Sequence, residues 1–140
     1  MSEHLIVRVI VKLLVPFILL FALYVQMHGD YGPGGGFQAG VIFATGFIVY
    51  SIAFGARQTI RVLPLSVVTA MVSLGVVLYA LVGFVTVGAG GNFLDYGVLD
   101  SHDPVHGQHL GILLIELGVG ISVAGVLTAI FFTFAERRQK

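Results

Sequence analysis

Three side chains could do chemistry in a chain otherwise short of it: Glu116, His109 and Lys12. Glu116 stands inside the apolar run HLGILLIELGVG. A carboxylate in hydrocarbon needs a partner, a watery cavity or a proton. His109 precedes it by two helical turns on nearly the same face. The pair could begin a relay for protons or cations. Equally, a hydrogen-bonded Glu116 could fix a contact between helices, and Gly120, Ala124 and Thr128 continue its face as a small, weakly polar strip. Lys12 lies about two turns into the first apolar run. Long basic side chains near a helix end reach back to the interface. The alternative for Lys12 is an ion pair with a carboxylate of another subunit.

A second cluster holds His102, His106 and His109 with Asp100 and Asp103. HxxxHxxH on one helix would align three imidazoles and suit a divalent metal. Pro104 and Gly107 interrupt that pattern. Asp103-Pro104 reads instead as an N-cap followed by a first-position proline. The expectation is a solvated polar loop without metal, with His28 on the same side. No His lies near the middle of an apolar run, so haem is not expected. The absence of Cys removes thiolate ligands and disulfides. No nucleophile–base arrangement is readable. The chain is expected to be neither an enzyme nor a cofactor protein.

The elements that position these residues follow from composition. Of 140 residues 57% are hydrophobic and 10% charged, and the mean hydropathy is +1.01. Soluble domains carry about 25% charged residues, so this chain belongs in a bilayer. A spanning helix takes about 20 mainly apolar residues. Residues 5–27, 37–55, 65–87 and 109–134 qualify. The fold class predicted is an all-α integral membrane protein with four transmembrane helices, one domain over residues 1–140. The first run reads as a retained helix rather than a cleaved signal, and Pro16 should kink it. The basic residues fall in three groups: Arg8 and Lys12, Arg57 and Arg61, then Arg137, Arg138 and Lys140. The segments 28–36 and 88–108 hold none, but contain Asp30, Asp95, Asp100 and Asp103. Basic flanks favour the cytoplasm, which places both termini there.

Between the first two spans stands HGDYGPGGGFQAG, residues 28–40. A phosphate loop would follow a strand and carry Lys-Ser/Thr; this one does neither. A flexible linker would be longer and polar. The stretch from Asp30 to Pro33 is turn chemistry. Pro33, Gly34, Gly35, Gly36, Phe37 and Gly40 then open the second helix. Gly36, Gly40 and Ala44 form a small face for close packing on a neighbour, in this chain or another. Gly111, Gly118 and Gly125 repeat at seven and suggest a chain built to pack in an assembly.

GPGGGFQAG is similar to the signature of the MnhB family, a family of small membrane components of the Mrp-type multisubunit Na+/H+ antiporters. Arg57, Arg61 and Pro64 resemble its basic link before the third span, and His109 with Glu116 resembles its last helix. The resemblance covers essentially the whole chain. It implies an accessory membrane subunit of a monovalent cation/proton antiporter in a bacterial or archaeal inner membrane. Its partners would be large proton-translocating antiporter-like subunits, small subunits, the lipid bilayer, Na+ and H+, with no nucleic acid. Glu116 would then be a candidate for lining the ion path. Related domains occur in membrane-bound hydrogenases, so the alternative is a structural subunit of a redox-driven ion pump. A self-associating channel is disfavoured, because no span carries a polar pore-lining stripe.

Overall fold

The computed structural model describes the backbone of residues 2–29 and 31–137 and the side chains of residues 5–29 and 31–135. Asp30 of the expected turn, and Arg138 and Lys140 of the expected basic tail, lie outside these. Among the described residues five α-helices follow one another: α1 (Ser2–His28), α2 (Gly36–Phe54), α3 (Ala56–Val62), α4 (Leu65–Gly88) and α5 (Pro104–Arg137). Four of them, α1, α2, α4 and α5, are long and apolar enough to cross a membrane. Their sides are apolar nearly all round, as a helix facing lipid requires. Leu13, Phe17, Leu74 and Phe84 are each more than 60% exposed, which water would penalise and hydrocarbon would not.

The helices lie in the order α1–α2–α5–α4. Glycines set the register. A Cβ on Gly36 would collide with the Glu116 carbonyl, and one on Gly40 would come within 2.6 Å of the Gly120 carbonyl. The face Gly36–Gly40–Ala44 therefore packs on α5 of the same chain, with α2 and α5 running parallel. α1 runs back along α2, with Leu19 beside Gly46. α4 runs back along α5: Gly118 faces the Gly75 carbonyl, Gly125 faces Val72, and Ser122 Oγ donates to the Val72 carbonyl at 3.2 Å. The seven-residue glycine stripe is thus used inside the chain, with Gly111 against the Tyr96 ring. Small residues spaced for close approach do not by themselves say whether the approaching helix comes from another subunit.

Two segments differ from expectation. The basic link between the second and third spans contains α3, a helix of 7 residues. Gly55, at φ 93° and ψ 147°, breaks the chain out of α2. Its carbonyl then accepts the first amides of α3, from Gln58 and Thr59. α3 covers a small core of Leu63, Val68 and Phe132. The last helix starts at Pro104 rather than near His109. Asp103 Oδ1 accepts the Val105 and His106 amides at 3.0 and 3.3 Å, a capping arrangement. Gly107 does not interrupt this helix. It lets α5 pass the Tyr96 carbonyl, which a Cβ would approach to 2.7 Å.

The two ends of the bundle are chemically distinct. At the glycine end lie the α1–α2 turn and the loop from Ala89 to Asp103. Thr86 organises that loop: its Oγ1 donates to the Gly83 carbonyl and accepts the Leu94 amide at 2.9 Å. At the arginine end lie α3 and the start of α1.

Candidate functional site beneath the glycine turn

The glycine turn and Glu116, unconnected in sequence, form one site. The turn closes on α1. Tyr31 and Gly32 amides donate to the His28 carbonyl at 3.0 and 3.1 Å, and Gly35 N–H donates to the Val25 carbonyl at 3.3 Å. These bonds use carbonyls that a helix end leaves open. Gly35 then adopts φ 119° as the N-cap of α2, a conformation that Cβ-bearing residues rarely take. This bend brings backbone onto the Glu116 carboxylate. A Cβ on Gly29 would lie 2.5 Å from Glu116 Oε2, and one on Gly35 would lie 3.0 Å from Oε1. At Gly29 a Cβ would also come within 2.6 Å of the Gly35 Cα, so the close approach of backbone to the carboxyl group depends on glycine there.

The electrostatics follow from the same geometry. α2 has no acidic residue in its first turn. A helix N-terminus carries about half a positive charge and stabilises a nearby anion. Glu116 brings a carboxyl group to that end from α5. It is half-buried. Although it lies twelve residues into α5, about 18 Å from that helix's start, it is level with the first residue of α2. The first three turns of α5 stand above the α1–α2 hairpin.

His109 lies on that upper part, exposed, with its ring stacked on Tyr31 at 6.3 Å between centroids. The turn thus touches α5 twice, through the Glu116 carboxylate and through the Tyr31–His109 stack. His28 stacks on Tyr24 at 5.4 Å. Lys12 stands at the other end of the bundle, its Nζ 5.4 Å from the centre of the Phe54 ring. Arg8 lies over the same ring and donates from Nε to the Ala53 carbonyl at 3.2 Å. The expected site residues therefore divide: Glu116, His109, Pro33, Gly34, Gly35, Gly36, Phe37 and Gly40 share the glycine end, and Lys12 does not.

The imidazoles of the loop find other roles. His106 Nδ1 meets Asp100 Oδ2 at 2.9 Å, and Asp100 Oδ1 accepts the His102 and Asp103 amides. The His102 amide above all, then His106 and the Asp103 amide, hold the Asp100 carboxyl below the ordinary range. Partial burial, with the Tyr79 hydroxyl beside it, pushes the Tyr96 phenol up. Among the described residues no three His, Asp or Glu side chains converge in a way that would hold a metal ion. The loop is capped by its own carboxylates, and His102, Asp103 and His106 are exposed.

One functional candidate carries no motif in the sequence. Gln26, 7% exposed, places its Oε1 one turn below Glu116, where a Cβ on Gly120 would come within 2.5 Å of it. Its Nε2 is buried without a hydrogen-bond partner. Gln26 also lines a cavity of about 170 Å³ between α1, α2 and α5, with Ala22, Ala39, Phe43 and Ala124. The available signal was a lone carboxamide in the apolar run LLFALYVQM.

The architecture defines a class: a multi-pass helical membrane protein in which a backbone turn encloses a carboxylate. The sequence profile of a domain related to the MnhB subunit of Na+/H+ antiporter matches residues 6–129. Similar proteins include one provisionally named antiporter subunit mnhB2 from Staphylococcus haemolyticus (strain JCSC1435), 33% identical over 136 residues and 96% of each chain. Another of the same name, from Staphylococcus aureus (strain Newman), is 31% identical over 140 residues and 99% of each chain. The chain belongs to the MnhB family.

Proposed function

We propose that this chain is an accessory subunit of a multisubunit Na+/H+ antiporter in a bacterial cell membrane, and that Glu116 lies on or beside its ion path. The observation that carries the subunit role is family membership across residues 6–129. Support for Glu116 comes from its enclosure by Gly29 and Gly35. A structural carboxylate needs only a partner. This one has a cradle of bare backbone, the end of α2 and, one turn below, the buried carboxamide of Gln26. That environment suits a group that holds charge while a cation or proton passes. His109, exposed above it, is the proposed entry station. The partners proposed are the large antiporter-like subunits and the small ones. The whole chain acts as a single domain, with both termini in the cytoplasm and the glycine end outside, as the distribution of Lys and Arg favours.

The test is Na+-dependent H+ movement in inverted vesicles carrying the whole operon, with Glu116 native or replaced by Gln or Asp. A native gel reports assembly in each case. Glu116→Gln should abolish exchange in an assembled complex, and Glu116→Asp should restore part of it. Loss of the complex from the gel with Glu116→Gln would make Glu116 a structural contact and remove it from the path.

A further inference from the structure

We propose that α3 is an interfacial helix whose exposed face binds the phosphate headgroups of anionic phospholipid. The inference is independent of the role given to Glu116. α3 joins two membrane-crossing helices through only seven residues, about 10 Å of helix. It has no length to cross anything and lies at the end of the bundle. Its inward side is anchored: Ala56 and Thr59 are buried, and Ile60 packs on the core of Leu63, Val68 and Phe132. Arg57 and Arg61 are four residues apart, hence on one face, and both are exposed. Val62 beside them is 60% exposed. A face with two guanidinium groups and an exposed valine suits the boundary between headgroup and acyl chain.

Among the described side chains the carboxylates of Asp95, Asp100, Asp103 and Glu116 belong to the glycine end, whereas Arg57 and Arg61 stand exposed at the other; the side chains of Glu3 and Glu136 lie outside the described residues. Arg8 and Lys12 add two more cations beside Phe54, immediately before α3. Guanidinium groups match phosphate oxygens in a bidentate geometry. Anionic lipid supplies such phosphates in the plane where α3 lies, and each basic residue near a membrane surface adds about a fivefold gain in attraction.

The experiment uses the full chain in phosphatidylcholine vesicles, with spin-labelled phosphatidylglycerol or spin-labelled phosphatidylcholine as probe. The native chain should select phosphatidylglycerol. Arg57→Gln with Arg61→Gln should lower that selectivity by about tenfold or more. Arg57→Lys with Arg61→Lys, which keeps the charge, should keep most of it. That second variant keeps the test decisive if the glutamine pair inserts poorly. Free phosphate at millimolar level should leave the selectivity in place; its loss would identify a soluble anion site and overturn the proposal. Equal association of both labelled lipids with the native chain would also overturn it. So would undiminished selectivity in the glutamine variant. Co-assembly that fails in the glutamine variant without lipid selectivity in the native chain would assign the face to a protein partner instead.

Discussion

At its first residue α2 meets a carboxylate that another helix presses against its backbone; at its last turn it meets two cations on a ring and a carbonyl. Both pairings follow the helix dipole, which favours anions at the start and cations at the end. They differ in what holds them. Glu116 is enclosed by Gly29 and Gly35, whose backbone approaches both carboxyl oxygens. Arg8 and Lys12 are exposed and reach α2 through long flexible stems. One end is fixed by close packing of backbone, the other by reach. On the proposed role, Glu116 must stay in place while its ligand changes, whereas cations that reach the interface on flexible stems are free to move.

The contrast is most easily broken at Gly36. A side chain there runs into the Glu116 carbonyl, so backbone must move. Gly36→Val is expected to cost about 3 kcal/mol or more, the upper end for overpacking. Thermal unfolding of the purified chain in detergent should show it, with Gly88→Ala as control, since a Cβ at Gly88 meets nothing within 4 Å. An unchanged transition for Gly36→Val would mean that α2 and α5 stand farther apart at the site than this packing requires.

At the arginine end, a side chain at Gly55 would bring strain without collision. Its φ is 93°, yet a Cβ would meet nothing within 4 Å. Gly55→Ala should therefore cost about 1–3 kcal/mol, from backbone conformation alone. The same unfolding measurement would sharpen the comparison: two glycines, one kept for space and one for φ. A Gly55→Ala cost as large as that of Gly36→Val would erase the distinction.

A smaller effect is expected at Arg8. Arg8→Met keeps much of the stem but loses the contact with Phe54 and the bond to the Ala53 carbonyl. An exposed cation over a ring contributes about 0.5–1 kcal/mol. A double-mutant cycle with Phe54→Leu would isolate that share. Zero coupling would mean that Arg8 serves only to reach the interface.

The four spans were legible because about 20 apolar residues in a row admit few other structures. The site was legible in halves. Glu116 stood out as a charge in an apolar run, and PGGGF stood out as punctuation. Their contact could not be read, because the registers of α2 and α5 depend on which small face meets which. The glycines at 36, 40, 111, 118 and 125 offered several equivalent pairings. α3 was hidden because seven residues give too short a window for a periodic signal. Gln26 was hidden because one polar residue in a membrane run looks like tolerance rather than design. The early start of α5 was present as Asp103-Pro104, but Gly107 and the polar residues around it masked the continuation of that helix into the apolar run.

The weakest of these contacts gives the most specific pH signature. Asp100 joins the loop to α5 by accepting two amides and the His106 ring. Its carboxyl is held below the ordinary value of 3.8, chiefly by the His102 amide. A carboxyl depressed in the folded state stabilises that state fully above the ordinary value and ceases to do so as pH falls through the lower, folded one. The latch should therefore stay closed at neutral pH and open only in acid, below about pH 4. Amide exchange at His102 and Asp103, corrected for intrinsic rates, should stay protected down to that range and then rise. Asp100→Asn keeps one acceptor oxygen and loses the charge, so its exchange should be modestly faster and show no acid step. An acid step that persists in Asp100→Asn would transfer the latch to Asp103, the cap of α5, whose Oδ1 holds the next two amides. Because Tyr31 leans on His109 one turn further along, exchange in the glycine turn would then show whether opening the loop reaches Glu116 or stops at the surface.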